Sequence, residues 1–164
     1  MRSMIRPALM IAAVAAAAMA APVSADDAFR THSKSGAFDV VLEDLKDAIV
    51  KRGFVVDYVG QLNAMLERTA ADTETVTSSG IKSPFRNAVF VQFCPAKLTH
   101  EAVNASTLAV ANCPVAIHVF ETSAEPGKIN VGYRLPAPNP SKLVARSNDK
   151  LVAVLGEIAA DATK

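Results

Sequence analysis

Three segments of this chain alternate residue types with a period of two, and no other feature of the sequence constrains the fold as strongly. Successive side chains of a β-strand point to opposite faces of its sheet. In residues 88–94, 115–121 and 129–134, one set on each strand is entirely apolar: Val89, Val91, Phe93; Val115, Ile117, Val119; Ile129, Val131, Tyr133. A sheet with one fully apolar face needs a layer of helices to cover it.

Two segments with helical spacing of apolar residues can supply that layer. The first ends before Gly53, and its apolar face consists of Phe38, Val41, Leu42, Leu45, Ala48 and Ile49. The second lies within residues 148–160, and its apolar face consists of Leu151, Val154, Leu155 and Ile158. Shorter helices are predicted at residues 62–69 and 98–105, strands at 29–34 and 54–59, and a Ser- and Thr-rich loop at 70–84. The order β-α-β-α-β-α-β-β-α predicts an α+β two-layer sandwich, with one sheet and the helices packed on one face.

The N-terminus has the three parts of a secretory signal. Arg2 and Arg6 precede an apolar run over residues 8–21, and small residues at 23–25 form a cleavage site. A membrane anchor is the alternative, but the run is shorter than the roughly 20 residues of a spanning helix. We therefore expect a signal peptide at 1–25 and a single domain at 26–164, periplasmic or secreted and not held in a membrane after cleavage.

The charge of the expected mature domain bears on its partners. Removing Arg2 and Arg6 from the 17 basic residues leaves 15 against 16 acidic ones, a net charge of −1, with no long basic block. Because nucleic-acid binding depends on clustered Lys and Arg, this balance argues against a nucleic-acid partner.

The only two cysteines, Cys94 and Cys113, each precede a proline and bracket the short helix at 98–105. In an oxidising compartment such a pair favours an intramolecular disulfide. It would form at one edge of the sheet if the flanking strands are antiparallel neighbours. Two packed thiols, or a redox or ligand site, are the alternatives, although the Cys-x-x-Cys spacing typical of redox sites is absent.

The other face of the predicted sheet carries Gln92, His118, Asn130 and Arg134, together with Phe90 and Phe120. Aromatic, cationic and imidazole side chains on one face suit a protein partner or a small anionic ligand. An ordinary solvated face is the alternative. We take these four polar residues as candidate binding residues.

Sequence motifs for catalysis or cofactor binding are not evident. There is no Gly-x-Ser-x-Gly elbow and no Gly-rich phosphate loop. The spacing of His32, His100 and His118 does not require a metal site, and no Cys-x-x-Cys-His motif for haem attachment is present. We therefore expect no cofactor, no metal and no catalytic residues, which favours a protein that is not an enzyme.

The chain resembles the bacterial domain-of-unknown-function family 302. The resemblance rests on short blocks in a shared order: residues 53–59 (GFVVDYV) with 65–69 (MLERT), Phe93-Cys94 before the Leu98 helix, 113–121 (CPVAIHVFE), and Pro126-Gly127 leading into 131–134 (VGYR). It implies a two-layer sandwich of one sheet and several helices, often as a homodimer, and it implies no reaction. The segment 70–84 departs from the family pattern.

These observations together predict an exported binding or assembly module that uses the open sheet face. Its partners would be a second copy of the chain, a small anionic ligand or a periplasmic protein. The alternative function is that of a periplasmic thiol-disulfide redox protein using Cys94 and Cys113.

Overall fold

A computed structural model of the chain describes residues 28–72 and 83–164. The predicted signal peptide at 1–25 lies outside the described residues, as does most of the predicted loop at 70–84.

The described chain forms five strands, four α-helices and one 3₁₀ helix. In chain order they are β1 (Phe29–Ser35), α1 (Phe38–Lys51), β2 (Val56–Gln61), α2 (Leu62–Asp72), β3 (Phe85–Phe93), α3 (Ala96–Ala105), a 3₁₀ helix (Thr107–Asn112), β4 (Val115–Thr122), β5 (Lys128–Arg134) and α4 (Lys142–Ala162). The strands make one open antiparallel sheet in the order β1-β5-β4-β3-β2. The predicted fold class and element order are confirmed.

The core lies between the sheet and the pair of long helices α1 and α4. Its fully buried side chains come from the apolar strand sets and from the helical stripes, and the largest include Leu45, Ile49, Phe93, Ile117, Ile129, Leu155 and Ile158. Their period-two and helical spacings are those seen in the sequence. The opposite face of the sheet, which we call the open face, therefore carries the mixed set.

The hairpin between β4 and β5 is organised by a buried carboxylate. Glu121 is 5% exposed, and its carboxylate accepts hydrogen bonds from the Gly127 N–H at 2.8 Å and from Asn87 Nδ2 at 2.7 Å. Gly127 has φ of 79°, a left-handed conformation that glycine adopts without steric strain. These bonds hold the pKa of Glu121 below its ordinary value, with the nearby Arg86 contributing in the same direction.

Several element boundaries differ from the prediction: α2 continues to Asp72 rather than 69, and β3 begins at Phe85 rather than 88. Helix α4 begins at Lys142 rather than at 148, because Ser141 caps it by accepting a hydrogen bond from the Val144 N–H at 3.5 Å. Strand β2 spans Val56–Gln61 rather than 54–59, because its pairing with β3 begins at Val56, opposite Phe93.

Candidate functional site

The pairing of β4 with β5 stops before either strand ends. It runs from Ile117 opposite Tyr133 to Glu121 opposite Ile129. Strand β4 begins earlier, at Val115, and Arg134 at the end of β5 pairs with Phe29 of β1. The two strands thus separate at this end of the sheet and leave a cleft between them.

This cleft has a volume of about 390 Å³, within the size range of small-molecule sites. His118 and Arg134 provide its charged or titratable groups, and Asn112 lies at one wall. The rest of the lining is apolar or proline: Ala111, Pro114, Val115, Ala116, Leu135, Pro136, Ala137, Leu151 and Leu155. The arrangement is a mostly apolar site with a few polar groups that could orient a ligand.

Helix α4 holds two walls of the cleft through one side chain. The buried Asn148 accepts a hydrogen bond from Asn112 Nδ2 at 3.0 Å and donates one from its own Nδ2 to the Ala137 carbonyl at 3.2 Å. Asn112 ends the 3₁₀ helix, and Ala137 lies in the proline-rich spacer before α4. The two walls are therefore positioned relative to one another by a side chain that lies behind them.

A disulfide anchors the chain next to the Asn112 wall of the cleft. Cys94 and Cys113 are bonded, with their Cα atoms 5.6 Å apart. They meet because Phe93 at the end of β3 pairs with Val115 at the start of β4. The expected disulfide is thus present, and it joins the end of β3 to the start of β4, two inner strands of the sheet. Cys113 is followed directly by Pro114, which lines the cleft.

The electrostatics of the cleft favour an anion. Arg134 is exposed and, among the described residues, forms no salt bridge. Burial lowers the pKa of His118, a hydrogen bond from the ring to the Gly132 backbone raises it, and the charge of Arg134 lowers it. His118 is therefore neutral at pH 7, while Arg134 is charged, and no carboxylate lines the cleft.

One ring nitrogen of His118 lacks a partner in the described part of the chain. Its Nδ1 atom is buried and makes no hydrogen bond there. A buried polar atom without a partner is costly, and in native structures it often marks a place where water or a ligand binds. Arg134 is therefore the exposed charged group of the cleft, and the His118 ring lies at its wall.

An aromatic row crosses the open face through His118. Each residue of the row lies directly opposite the next one on the neighbouring strand, in the order Gly60, Phe90, His118, Gly132 and Thr31. The two glycines leave room for aromatic rings, because a Cβ at Gly60 would overlap the Phe90 ring and a Cβ at Gly132 would overlap the Phe29 ring.

The rings in this row contact one another in sequence. The His118 ring lies 5.9 Å from that of Phe29 and 6.1 Å from that of Phe90, measured between centroids. The Tyr58 ring lies 5.8 Å from the Phe90 ring on the opposite side. The imidazole therefore lies among aromatic rings.

A second, apolar pocket lies on the other side of His118. Its volume is about 210 Å³, and it is lined by Phe29, Leu62, Phe85, Ala88, Val89, His118, Val119 and Phe120. The rings of Phe85 and Phe120 meet edge to face, with centroids 5.8 Å apart. His118 is thus a shared wall of the cleft and of this pocket, which we call the aromatic pocket.

Comparison with known proteins places the chain in a family. A family model described as "Domain of unknown function DUF302" matches residues 29–163. The chain belongs to the DUF302 family. This confirms the resemblance found in the sequence.

A solved relative of this DUF302 chain shares the fold. The crystal structure of an uncharacterized conserved protein DUF302 from Bacillus stearothermophilus aligns with a TM-score of 0.55 at 17% identity, covering 80% of this chain and 98% of that chain. No curated protein matches the chain significantly. The structural likeness supports the fold and leaves the function of the DUF302 domain to be argued from its own residues.

The four candidate binding residues have different positions in the DUF302 domain. His118 and Arg134 both line the cleft. Asn130 instead bonds within the sheet, because its Oδ1 accepts a hydrogen bond from Ser33 Oγ at 2.8 Å. Gln92 lies on the open face opposite Tyr58 and Ala116, outside the lining of the cleft and of the aromatic pocket.

Within the described ranges, 28–72 and 83–164, no group of three or more His, Cys, Asp or Glu side chains is placed to hold a metal ion. The helices there include none that is both long and apolar enough to cross a membrane.

Proposed function

We propose that this DUF302 protein is an exported, non-enzymatic binding protein that holds a small anion in the cleft between β4 and β5. The observation that carries the proposal is that Arg134, which forms no salt bridge among the described residues, and His118 line one cleft whose lining contains no carboxylate. A guanidinium binds a carboxylate through two parallel hydrogen bonds, which makes it a strong anion group.

His118 supports this role through its charge. An anion beside the ring favours the imidazolium form. A bound anion would then face the Arg134 guanidinium and the His118 imidazolium together, at a site whose walls are held by Asn148 and by the disulfide.

Calorimetric titration with sodium butanoate and with inorganic phosphate tests the anion site. Hydrogen bonds to charged groups contribute about 1.5–3 kcal/mol, so Arg134→Gln should weaken anion binding by roughly 10- to 100-fold. Arg146→Gln is the matched control, because Arg146 is exposed on α4 and lies outside the cleft lining. Equal losses in the two variants, or no loss at Arg134→Gln, would overturn the proposal.

Export and self-association need separate measurements. The N-terminal pattern at 1–25 supports export, and the intact mass of the protein recovered from its host should correspond to cleavage after Ala25. The open face, with Tyr58 more than half exposed, supports a homodimer. Light scattering of the purified protein would give twice the monomer mass if this is so.

The thiol-redox alternative has the disulfide itself as its supporting observation. A redox protein should equilibrate with the glutathione couple. A reduction potential below about −300 mV would mark the bond as structural and would eliminate this alternative.

A further inference from the structure

The aromatic pocket has a composition unlike that of the cleft. Of its lining side chains only His118 is polar, and four of the others are Phe29, Leu62, Phe85 and Phe120. A half-open apolar site of this kind gains free energy when a ligand covers it, because apolar surface is taken out of water in proportion to the area buried. Its natural occupant is a hydrocarbon group rather than a second charge.

His118 lines both cavities. In the cleft, the other lining groups include the Arg134 charge and apolar side chains such as Leu155. In the aromatic pocket, they include three phenyl rings. A molecule that reached from Arg134 past His118 would therefore meet a cation, then an imidazole edge, then a purely apolar space.

We propose that the ligand of this protein is an amphipathic carboxylate, with its carboxylate at Arg134 and its hydrocarbon chain in the aromatic pocket. This inference rests on the proposed anion site and adds the chemical class of the ligand. It excludes sugar phosphates and polyanions as preferred ligands, because the aromatic pocket offers their hydroxyl and charged groups no hydrogen-bonding partner beyond His118.

Titration of the wild-type protein with butanoate, hexanoate, octanoate and decanoate tests the hydrocarbon half. A buried methylene contributes about 0.8 kcal/mol, so affinity should rise about fourfold for each methylene that enters the aromatic pocket and should level off once it is full. Butanoate binding that depends on Arg134 but shows no rise with chain length would overturn this inference and leave the anion site standing.

A variant pair locates the chain within the protein. Leu62 lines the aromatic pocket and is the first residue of α2, where an acid is compatible with the helix dipole. Leu62→Asp should reduce the affinity for octanoate by at least tenfold and change that for butanoate little. Leu66→Asp is the matched control, because Leu66 is exposed on the same helix and outside the pocket.

The remaining outcomes separate the two proposals. Equal octanoate affinity in Leu62→Asp and Leu66→Asp, with circular dichroism showing both folded, would overturn the aromatic pocket as the chain site. If Leu62→Asp fails to fold, the wild-type chain-length series still decides the question. Octanol binding as tightly as octanoate, with no effect of Arg134→Gln, would overturn the anion site and the amphipathic ligand together. Two results together would assign the aromatic pocket to a second copy of this chain. Light scattering would give a mass of two chains that octanoate does not change, and affinity would not rise with the length of the carboxylate.

Discussion

Removing the disulfide should destabilise the protein by an amount that the loop length sets. Cys94 and Cys113 are 19 residues apart, so the bond closes a loop that contains α3 and the 3₁₀ helix. In the chain-entropy model, closing a loop of this length in the unfolded state contributes about 3 kcal/mol to the free energy of unfolding. The double variant Cys94→Ser/Cys113→Ser should lose that amount.

Urea unfolding followed by circular dichroism measures this loss directly. For a domain of roughly 135 residues, 1 kcal/mol corresponds to about 4 °C in Tm, so the double variant should melt about 12 °C lower. Its m-value should rise, because an unfolded chain without the cross-link exposes more surface. Wild-type protein kept in reductant should behave in the same way as the variant.

The size of the change decides whether the loop-closure reasoning holds. A loss below about 1 kcal/mol, with an unchanged m-value, would refute it and would mean that the unfolded loop is already restricted without the bond. Near-UV circular dichroism of the folded double variant serves as the control, since a lost tertiary signal would mean that the folded state itself had changed.

Three other perturbations test the core and the two titrating groups on β4. Ile117→Ala, at a fully buried position, should lower the free energy of unfolding by about 2–5 kcal/mol in urea titrations. The pKa of Glu121 is lowered in the folded state. Its contribution to the free energy of unfolding is therefore complete above the unfolded pKa of about 4.3 and is lost as pH falls through the folded pKa. Glu121→Gln should therefore be less stable than wild type at pH 7 and approach it in acid; a constant difference would contradict this. The pKa of His118 is also lowered, so the unfolded chain takes up a proton below about pH 6.5 that the folded protein resists, and stability should fall from there toward the folded pKa. His118→Gln should show a shallower decline between pH 7.5 and 5.5, and an identical slope would count against burial as the cause.

The strand and helix patterns predicted the architecture because burial on one face imposes a strict period on the sequence. Ile117 and Val119 alternate with His118 and Phe120, and this alternation fixes which face each side chain occupies. The same reasoning located the disulfide, since Phe93 and Val115 end and begin neighbouring antiparallel strands.

The cleft itself could not be read from the sequence. It depends on where the β4–β5 register stops, and a period of two gives the face of a residue but not the length of a strand pair. His118 and Arg134 were found because both lie on the open face, whereas Leu155 was assigned to the core stripe. The aromatic pocket was missed because Phe29 and Phe85 come from strand ends whose pairing the sequence did not specify.

The most direct test of the central claim is the pKa of His118, measured by NMR with and without octanoate. An anion bound between Arg134 and the imidazole favours the imidazolium form, so the account predicts that saturating octanoate raises the pKa of His118. The ring signals of His32 and His100, which lie outside the cleft, should not move when ligand is added. An unchanged pKa of His118 in protein that has bound octanoate would place the ligand elsewhere and contradict the account.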